Sequence, residues 1–176
     1  MPVIVVANPK GGVGKTTLST NLAGYLASRG RAVMLGDTDR QQSARTWLGL
    51  RPAGLPKIDT WAIAHGEVVK PPKGTTHVVL DTPAGLHGKR LDEVMKLADE
   101  VLIPLQPGIF DIHATNEFVD QLRHFLEGVR IPLIAFLRDT QNYVHLAAHG
   151  LTLWDVASTR FQGDREQWAP IMTFVN

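Results

Sequence analysis

The sequence contains no cysteine. Disulfide bonds, zinc–thiolate sites, iron–sulfur clusters and cysteine nucleophiles are therefore excluded. No run approaches the roughly 18 apolar residues that a membrane-spanning helix needs, and no basic region precedes the apolar start of the chain, so we expect neither a membrane span nor a signal peptide. Since the net charge is only +1, charge alone does not suit the chain to coat nucleic acid, although a local basic patch remains open. These absences favour a cytoplasmic protein.

The 176 residues have the length and composition of one ordinary globular domain, which we expect to span residues 1–176. Strand and helix patterns alternate along the chain, which predicts a doubly wound α/β fold, a mostly parallel sheet with helices on both faces. Strands are expected at 3–7, 32–36, 77–80, 101–105 and 131–136, with a short one at 58–63 and a turn at 66–69. Helices are expected at 16–28, closed by Gly30, and at 41–50, 89–98 and 113–126. Ligands of such sheets bind at the carboxyl ends of the strands, where the residues with distinctive chemistry fall: 10–17, 37–41, 81–85 and 106–111.

A glycine-rich turn joins the first predicted strand to the first predicted helix. It reads Lys10-Gly11-Gly12-Val13-Gly14-Lys15-Thr16-Thr17. A strand, then glycines, then Gly-Lys-Thr at the start of a helix is the context of a phosphate-binding loop, in which backbone N–H groups and the helix N-terminus surround phosphates. In such a loop Lys15 reaches the β- and γ-phosphates of ATP and the Thr16 hydroxyl binds Mg²⁺. All eight residues are therefore candidate nucleotide contacts.

Three aspartates follow the second and third clear strands. Asp37 and Asp39 stand two residues apart, so their side chains point the same way if the segment is extended. One can then contact the Mg²⁺ hydration shell while the other orients the attacking water; the alternative is a solvated acidic helix cap. Asp81 ends an apolar strand, where a carboxylate lies near Mg²⁺ in phosphate-loop proteins, and Gly85 leaves the next turn free to respond to the γ-phosphate. The expected metal residues are Thr16, Asp37 and Asp81.

The glycine-rich turn departs from the general pattern G-x-x-x-x-G-K-[ST]. Pro9 stands where the first glycine is expected, and a second lysine, Lys10, stands at the entrance. In this form the turn resembles the deviant Walker A motif of the ParA/MinD group of P-loop ATPases, and segment 37–41 resembles that family's Asp-x-Asp-Pro-Gln motif. The resemblance implies that Lys10 reaches across a sandwich dimer to the partner's ATP and that Asp39 is the hydrolytic aspartate. Lys10, Lys15 and Asp39 are thus the expected catalytic residues.

The resemblance also implies partners. Short members of this family bind nonspecific DNA as ATP dimers through basic surface residues. We therefore expect ATP and Mg²⁺ as cofactors, an ATP-dependent homodimer, a nucleoid-associated location, and a ParB-like or adaptor protein that stimulates hydrolysis. The implied function is to partition or position a cargo, whether plasmid, chromosome or protein complex. The candidate DNA contacts, all in the C-terminal half, are Arg138, Arg123, Arg160, Arg130 and Arg165.

The chain also departs from the family pattern. Arg40 replaces the usual proline, and a helix and strand that carry an adenine contact in the family have no counterpart near 122–131. We favour omission of residues there over true loss, because losing a central unit should damage the core. A MinD-like membrane ATPase is the main alternative, but segment 167–176 has a proline and no basic residue, where a basic amphipathic helix is needed. A small-molecule ligase and a nucleotide-dependent scaffold without hydrolysis also remain open.

Overall fold

A computed structural model describes residues 1–60, 71–106, 108, 113, 115–120 and 133–176. Its centre is a sheet of five strands in which every pair runs parallel, in the order β3-β2-β4-β1-β5. The strands are β1 Val3–Val6, β2 Val33–Asp37, β3 Ile58–Asp59, β4 His77–Asp81 and β5 Glu100–Leu102. The predicted doubly wound α/β architecture is confirmed.

Helices connect the strands and form the C-terminal part of the chain. Their bounds are α1 Lys15–Ser28, α2 Ser43–Leu50, α3 Gly88–Met95, α4 Gln141–Ala147, α5 Gln162–Gln167 and α6 Ala169–Phe174, with a 3₁₀ turn at Thr159–Phe161 and helical residues at 113 and 115–120. The end of α1 shows why the sequence stops it there. Gly30 adopts a φ of 76°, its N–H donates to Ala27, and the next N–H donates to Leu26. This is the Schellman arrangement that a glycine favours, so the predicted closure at Gly30 is confirmed.

The core lies on both faces of the sheet. On one face, Ile4 and Val6 of β1 pack in a buried cluster with Leu22 of α1 and Trp168 near the C-terminus. On the other face, a second buried cluster holds Val5 of β1 together with residues such as Leu80, Leu91 of α3 and Phe118. Alternate residues of one strand thus enter opposite cores, which is why β1 is apolar at every position.

Several predicted bounds differ from the observed ones. α2 begins at Ser43, not at residue 41, because Gln42 adopts a left-handed φ of 49° that a helix does not continue through. β5 is shorter than the predicted 101–105, and Pro104 follows, which has no N–H for a ladder. α3 ends at Met95 instead of residue 98. The short strand predicted at 58–63 is found only as β3, and residues 61–63 and the turn at 66–69 lie outside the described residues.

The strand predicted at 131–136 is wrong for the part that the structure describes. Residues 133–136 have no regular structure, and Leu133 and Phe136 are 72% and 79% exposed. The apolar composition suggested a buried strand, but a strand needs a neighbour to pair with, and no described strand pairs with this segment. Of the helix predicted at 113–126, residues 113 and 115–120 are helical, and 121–126 lie outside the described residues, as does the whole segment 122–131. Among the described helices, none combines the length and apolar character needed to cross a bilayer.

Candidate functional site

The carboxyl ends of β1, β2 and β4 meet at one cleft of about 590 Å³. The glycine-rich turn between β1 and α1 forms its floor, and Gly12 and Gly14 there have φ values of 76° and 88°. Only glycine adopts such values readily, so the spacing of the glycines explains the shape of the turn. The lining residues come from three motifs that the sequence analysis placed at strand ends. They are Gly11, Gly12, Gly14, Lys15, Thr16, Thr17, Asp39, Gln41, Ser43, Thr82, Pro83 and Ala84.

Lys15 is held inside the turn. Its residue is 8% exposed, and its ammonium group donates a 2.7 Å hydrogen bond to the backbone carbonyl of Lys10. Burial lowers the pKa of Lys15, and the nearby carboxylates of Asp81 and Asp39 oppose that shift. A cation that is desolvated and lines the cleft is suited to receive an anionic ligand, because its attraction to the anion is weakly screened there.

Asp81 lies at the end of β4 beneath the first turn of α1. Its two carboxylate oxygens accept hydrogen bonds from the hydroxyls of Thr16, at 2.7 Å, and Ser19, at 3.0 Å. Burial raises the pKa of Asp81 to about 6, and the neighbouring Asp37 carboxylate adds to the rise. Ser19 was missed by the sequence analysis, although its position three residues after Thr16 places both hydroxyls on one helix face.

These oxygen donors fit a magnesium ion. Mg²⁺ prefers oxygen ligands and is usually held by one or two carboxylates or hydroxyls together with substrate phosphates. Within the described residues there is no group of three or more His, Cys, Asp or Glu side chains placed to hold a metal alone. The buried Asp81 carboxylate and the Thr16 hydroxyl bonded to it are an appropriate donor set for an ion brought in with a nucleotide, because a cation would favour the ionised carboxylate that burial disfavours.

Asp37 and Asp39 have different surroundings. The Asp37 carboxylate accepts hydrogen bonds from the backbone N–H groups of Asp39, Ala44 and Arg45, at 2.9, 2.9 and 3.3 Å. Burial raises the pKa of Asp37 in spite of these bonds. Asp39 lines the cleft and accepts the N–H of Gln41 at 3.0 Å. Asp37 thus shapes the turn that presents Asp39, and its direct role beside a metal ion stays a prediction.

The turn after β4 is joined to the glycine-rich turn. The N–H of Gly85 donates a 2.7 Å hydrogen bond to the carbonyl of Pro9. The hydroxyl of Thr82 donates to the carbonyl of Val6 at 2.8 Å, and the Thr38 hydroxyl donates to the carbonyl of Asp81 at 3.0 Å. Movement in any one of these three segments therefore displaces hydrogen-bond partners in another.

A set of contacts that the sequence analysis did not predict secures the entrance of the turn. The Asn8 side chain is fully buried; its oxygen accepts the N–H of Lys10 at 2.9 Å, and its amide nitrogen donates to the Pro104 carbonyl and the Thr115 hydroxyl, both at 3.0 Å. Gln106, in the segment after β5, also donates to the Gly12 carbonyl at 3.3 Å. The only sequence signal was a polar residue at the end of an otherwise apolar strand.

The described arginines proposed for DNA contact are engaged within the chain. The Nε of Arg138 lies 2.6 Å from the carboxylate of the fully buried Asp164, and Arg160 donates to the side-chain oxygen of Asn142 at 3.2 Å. Arg165 donates to backbone carbonyls of residues 153, 156 and 158. The remaining two candidates, Arg123 and Arg130, lie outside the described residues. DNA contact by these arginines stays a prediction.

Comparison with known proteins agrees with this geometry. Residues 4–153 match the family model described as "CobQ/CobB/MinD/ParA nucleotide binding domain". The maintenance of carboxysome distribution protein A of Gloeobacter kilaueensis is 37% identical over 119 residues, which cover 66% of this chain and 55% of that protein. The chain spans about half the length of the curated relatives it matches.

Solved structures share the fold at low sequence identity. The MinD cell division protein of Aquifex aeolicus superposes with a TM-score of 0.73 at 18% identity and covers 98% of both chains. A Cyanothece McdA variant in complex with ATP superposes with a TM-score of 0.64 at 16% identity, covering 98% of this chain and 94% of that one. Identities this low establish the fold alone.

Proposed function

This chain belongs to the CobQ/CobB/MinD/ParA nucleotide-binding domain family, and on that basis we propose that it is an ATPase of the ParA/MinD type. It binds ATP with Mg²⁺, pairs with a second copy while ATP is bound, and uses hydrolysis to position a cargo. The observation that carries the proposal is the cleft, which is lined by a desolvated lysine and by a hydroxyl that is hydrogen-bonded to the buried Asp81 carboxylate behind it.

The cleft has the groups that are needed to bind a nucleoside triphosphate together with Mg²⁺. The backbone of residues 11–17 surrounds the phosphates, and Lys15 neutralises the negative charge on the β- and γ-phosphates. Thr16 and Asp81 would hold the metal ion, which would supply charge neutralisation to the phosphates. Ser19 steadies the second oxygen of Asp81 and so fixes the direction of the carboxylate.

Hydrolysis is assigned to Asp39 and Lys10. Asp39 lines the cleft in a turn held by Asp37, which suits it to orient a water for attack on the γ-phosphate. Lys10 stands at the entrance of the turn. By the family resemblance, its side chain contacts the ATP that is bound to the second copy. A cation there stabilises the charge that develops on the transferred phosphoryl group, as an arginine finger does.

The wider role rests on the relatives. A carboxysome-distribution protein and a chromosome-partitioning ATPase, Soj of Thermus thermophilus, are among them, which supports a function in positioning a cargo. By the same resemblance we propose nonspecific DNA as the surface on which the ATP dimer rests and a ParB-like or adaptor protein as the stimulating partner. The single-domain organisation of residues 1–176 is part of this proposal.

Release of phosphate from ATP in the presence of Mg²⁺ tests the function. We expect turnover by the unsubstituted chain and loss of turnover, with ATP binding retained, in Asp39→Ala. Asp59→Ala is the matched control, because that aspartate pairs with Lys57 on the surface and does not line the cleft. Absence of ATP binding and turnover in the unsubstituted chain, or full turnover in Asp39→Ala, would contradict the proposal.

A further inference from the structure

Asn8 uses its whole side chain to join three segments at the entrance of the glycine-rich turn. Its oxygen accepts the Lys10 N–H, and the two hydrogens of its amide group go to Pro104, after β5, and to Thr115. Thr115 is 7% exposed and lies in the helical stretch 115–120. An asparagine has one accepting oxygen and two donor hydrogens, so the hydrogen-bonding capacity of this buried side chain is met on both sides.

Hydrogen bonds fix the backbone of Lys10 on both sides of its Cα atom. The N–H of Lys10 is held by Asn8, and its carbonyl accepts the ammonium group of Lys15 at 2.7 Å. The residue before it is a proline, whose φ is restricted by its ring, and the carbonyl of Pro9 accepts the N–H of Gly85. Since the peptide groups on either side of the Lys10 Cα are both anchored, the direction of the Cα–Cβ bond of Lys10 is set.

We propose that Asn8 is a positioning residue for the reaction: it aims Lys10 and couples that aim to the segment after β5 and to helical residues 115–120. The inference rests on the proposed function, in which Lys10 serves the nucleotide of a second copy. Binding of a long side chain to another molecule loses conformational entropy. If the backbone of Lys10 is already fixed, part of that loss occurs on folding and does not weaken the pairing of the two copies. Lys15 needs no such help, since it is buried within its own turn.

Three substitutions separate positioning from a general effect on folding. Asn8→Ala removes the acceptor for the Lys10 N–H. Asn8→Ser leaves a hydroxyl that can accept an N–H two residues later, as serine does in comparable turns. Asn142→Ala is the matched control, because Asn142 is also a buried asparagine that donates to a carboxylate and accepts from an arginine, but it lies near Asp164 in the C-terminal part.

Each variant is measured for Mg²⁺·ADP affinity, ATP-driven pairing by sedimentation, and kcat and KM for ATP. We expect Asn8→Ala to keep ADP affinity within about threefold of the unsubstituted chain while kcat and the pairing constant fall about 10- to 100-fold, the loss typical of a misplaced catalytic group. Asn8→Ser should recover most of the loss. Asn142→Ala should change none of these quantities at a temperature where it is folded.

Two results overturn the inference. In the first, Asn8→Ala leaves kcat and the pairing constant unchanged, as Asn142→Ala should. In the second, Asn8→Ala lowers ADP affinity as much as kcat, and Asn8→Ser recovers neither. Amide hydrogen exchange in the unsubstituted chain gives a test that needs no variant: the Lys10 amide should exchange much more slowly than a free peptide, and free-peptide exchange refutes the contact. If the unsubstituted chain neither pairs nor turns over ATP, the proposed function fails first, and this inference fails with it.

Discussion

Replacing Asp81 with asparagine should stabilise the nucleotide-free protein and, at the same time, weaken binding of Mg²⁺·ATP. In the folded chain burial raises the pKa of this carboxyl from its ordinary value of 3.8 to about 6. The folded state therefore keeps a proton that the unfolded chain has already released. Between pH 3.8 and about 6 unfolding therefore releases this proton, so the free energy of unfolding falls as pH rises over that interval and levels off above it.

The size of the effect follows from the two pKa values. A carboxyl whose pKa rises from 3.8 to about 6 on folding costs the folded state about 3 kcal/mol once it is fully ionised. About 2 kcal/mol of this cost arises between pH 4.5 and pH 8. Asparagine has no charge to desolvate, and the hydroxyls of Thr16 and Ser19 can reorient to pair with its amide.

The assay is urea unfolding of both proteins at pH 4.5 and pH 8, with EDTA and without nucleotide. We expect the free energy of unfolding of Asp81→Asn, relative to the unsubstituted chain, to rise by about 2 kcal/mol between the two pH values. ATP affinity in the presence of Mg²⁺ should fall in the same variant. A stability difference that is the same at both pH values would refute the argument, because it would mean that the Asp81 carboxyl is not desolvated in the folded state.

Three further changes probe the dimer, the buried ion pair between Arg51 and Asp155, and the proposed DNA contact. Lys10→Ala should abolish ATP-driven pairing in sedimentation and keep ADP affinity, because its amine serves the other copy. Arg51→Met should lower the free energy of unfolding in urea by about 3–5 kcal/mol, since it leaves the buried carboxylate of Asp155, 2.8 Å away, without its counter-charge. Arg138→Glu should reduce retention on DNA at low salt, and it should also destabilise the chain because it faces the buried Asp164 carboxylate.

For each of these three substitutions, one outcome would contradict the prediction. Normal pairing and turnover in Lys10→Ala would remove its role toward a second copy. Lys57→Ala is the control for Arg51→Met, because the Lys57–Asp59 pair is exposed and contributes about 0–1 kcal/mol; equal losses in the two variants would refute the value assigned to the buried pair. DNA retention by Arg138→Glu that equals the unsubstituted chain, under conditions where both are folded, would exclude that arginine as a contact.

The parallel sheet and the phosphate loop could be predicted because their signals are local. β1 is apolar at every position since alternate residues enter the two cores, and the glycines at 12 and 14 stand where the turn needs positive φ. Gly30 predicted the end of α1 because the residue that closes this helix also needs a positive φ. Such features depend on residues that are close together in the sequence, so they can be predicted from a single sequence.

The parts that escaped prediction depend on contacts between distant residues. Asn8 meets Thr115 across 107 positions, and no local pattern indicates such a pairing. The arginine at 138 looked like surface charge, but it faces a buried carboxylate 26 positions later. Residues 133–136 have strand-like composition without a described strand to pair with, which shows that composition alone does not decide strand formation.

The most direct test of the central claim is calorimetric titration of ATP with Mg²⁺ into the unsubstituted chain and into Lys15→Gln. Glutamine is uncharged and keeps N–H donors on a side chain one bond shorter, so the substitution removes the charge while leaving a polar side chain at the cleft. We predict one ATP bound per unsubstituted chain and an affinity at least about tenfold weaker in the variant, as expected from the loss of a charge-assisted contact to phosphate. Equal ATP affinity in the two proteins, or no binding to either, would contradict the account.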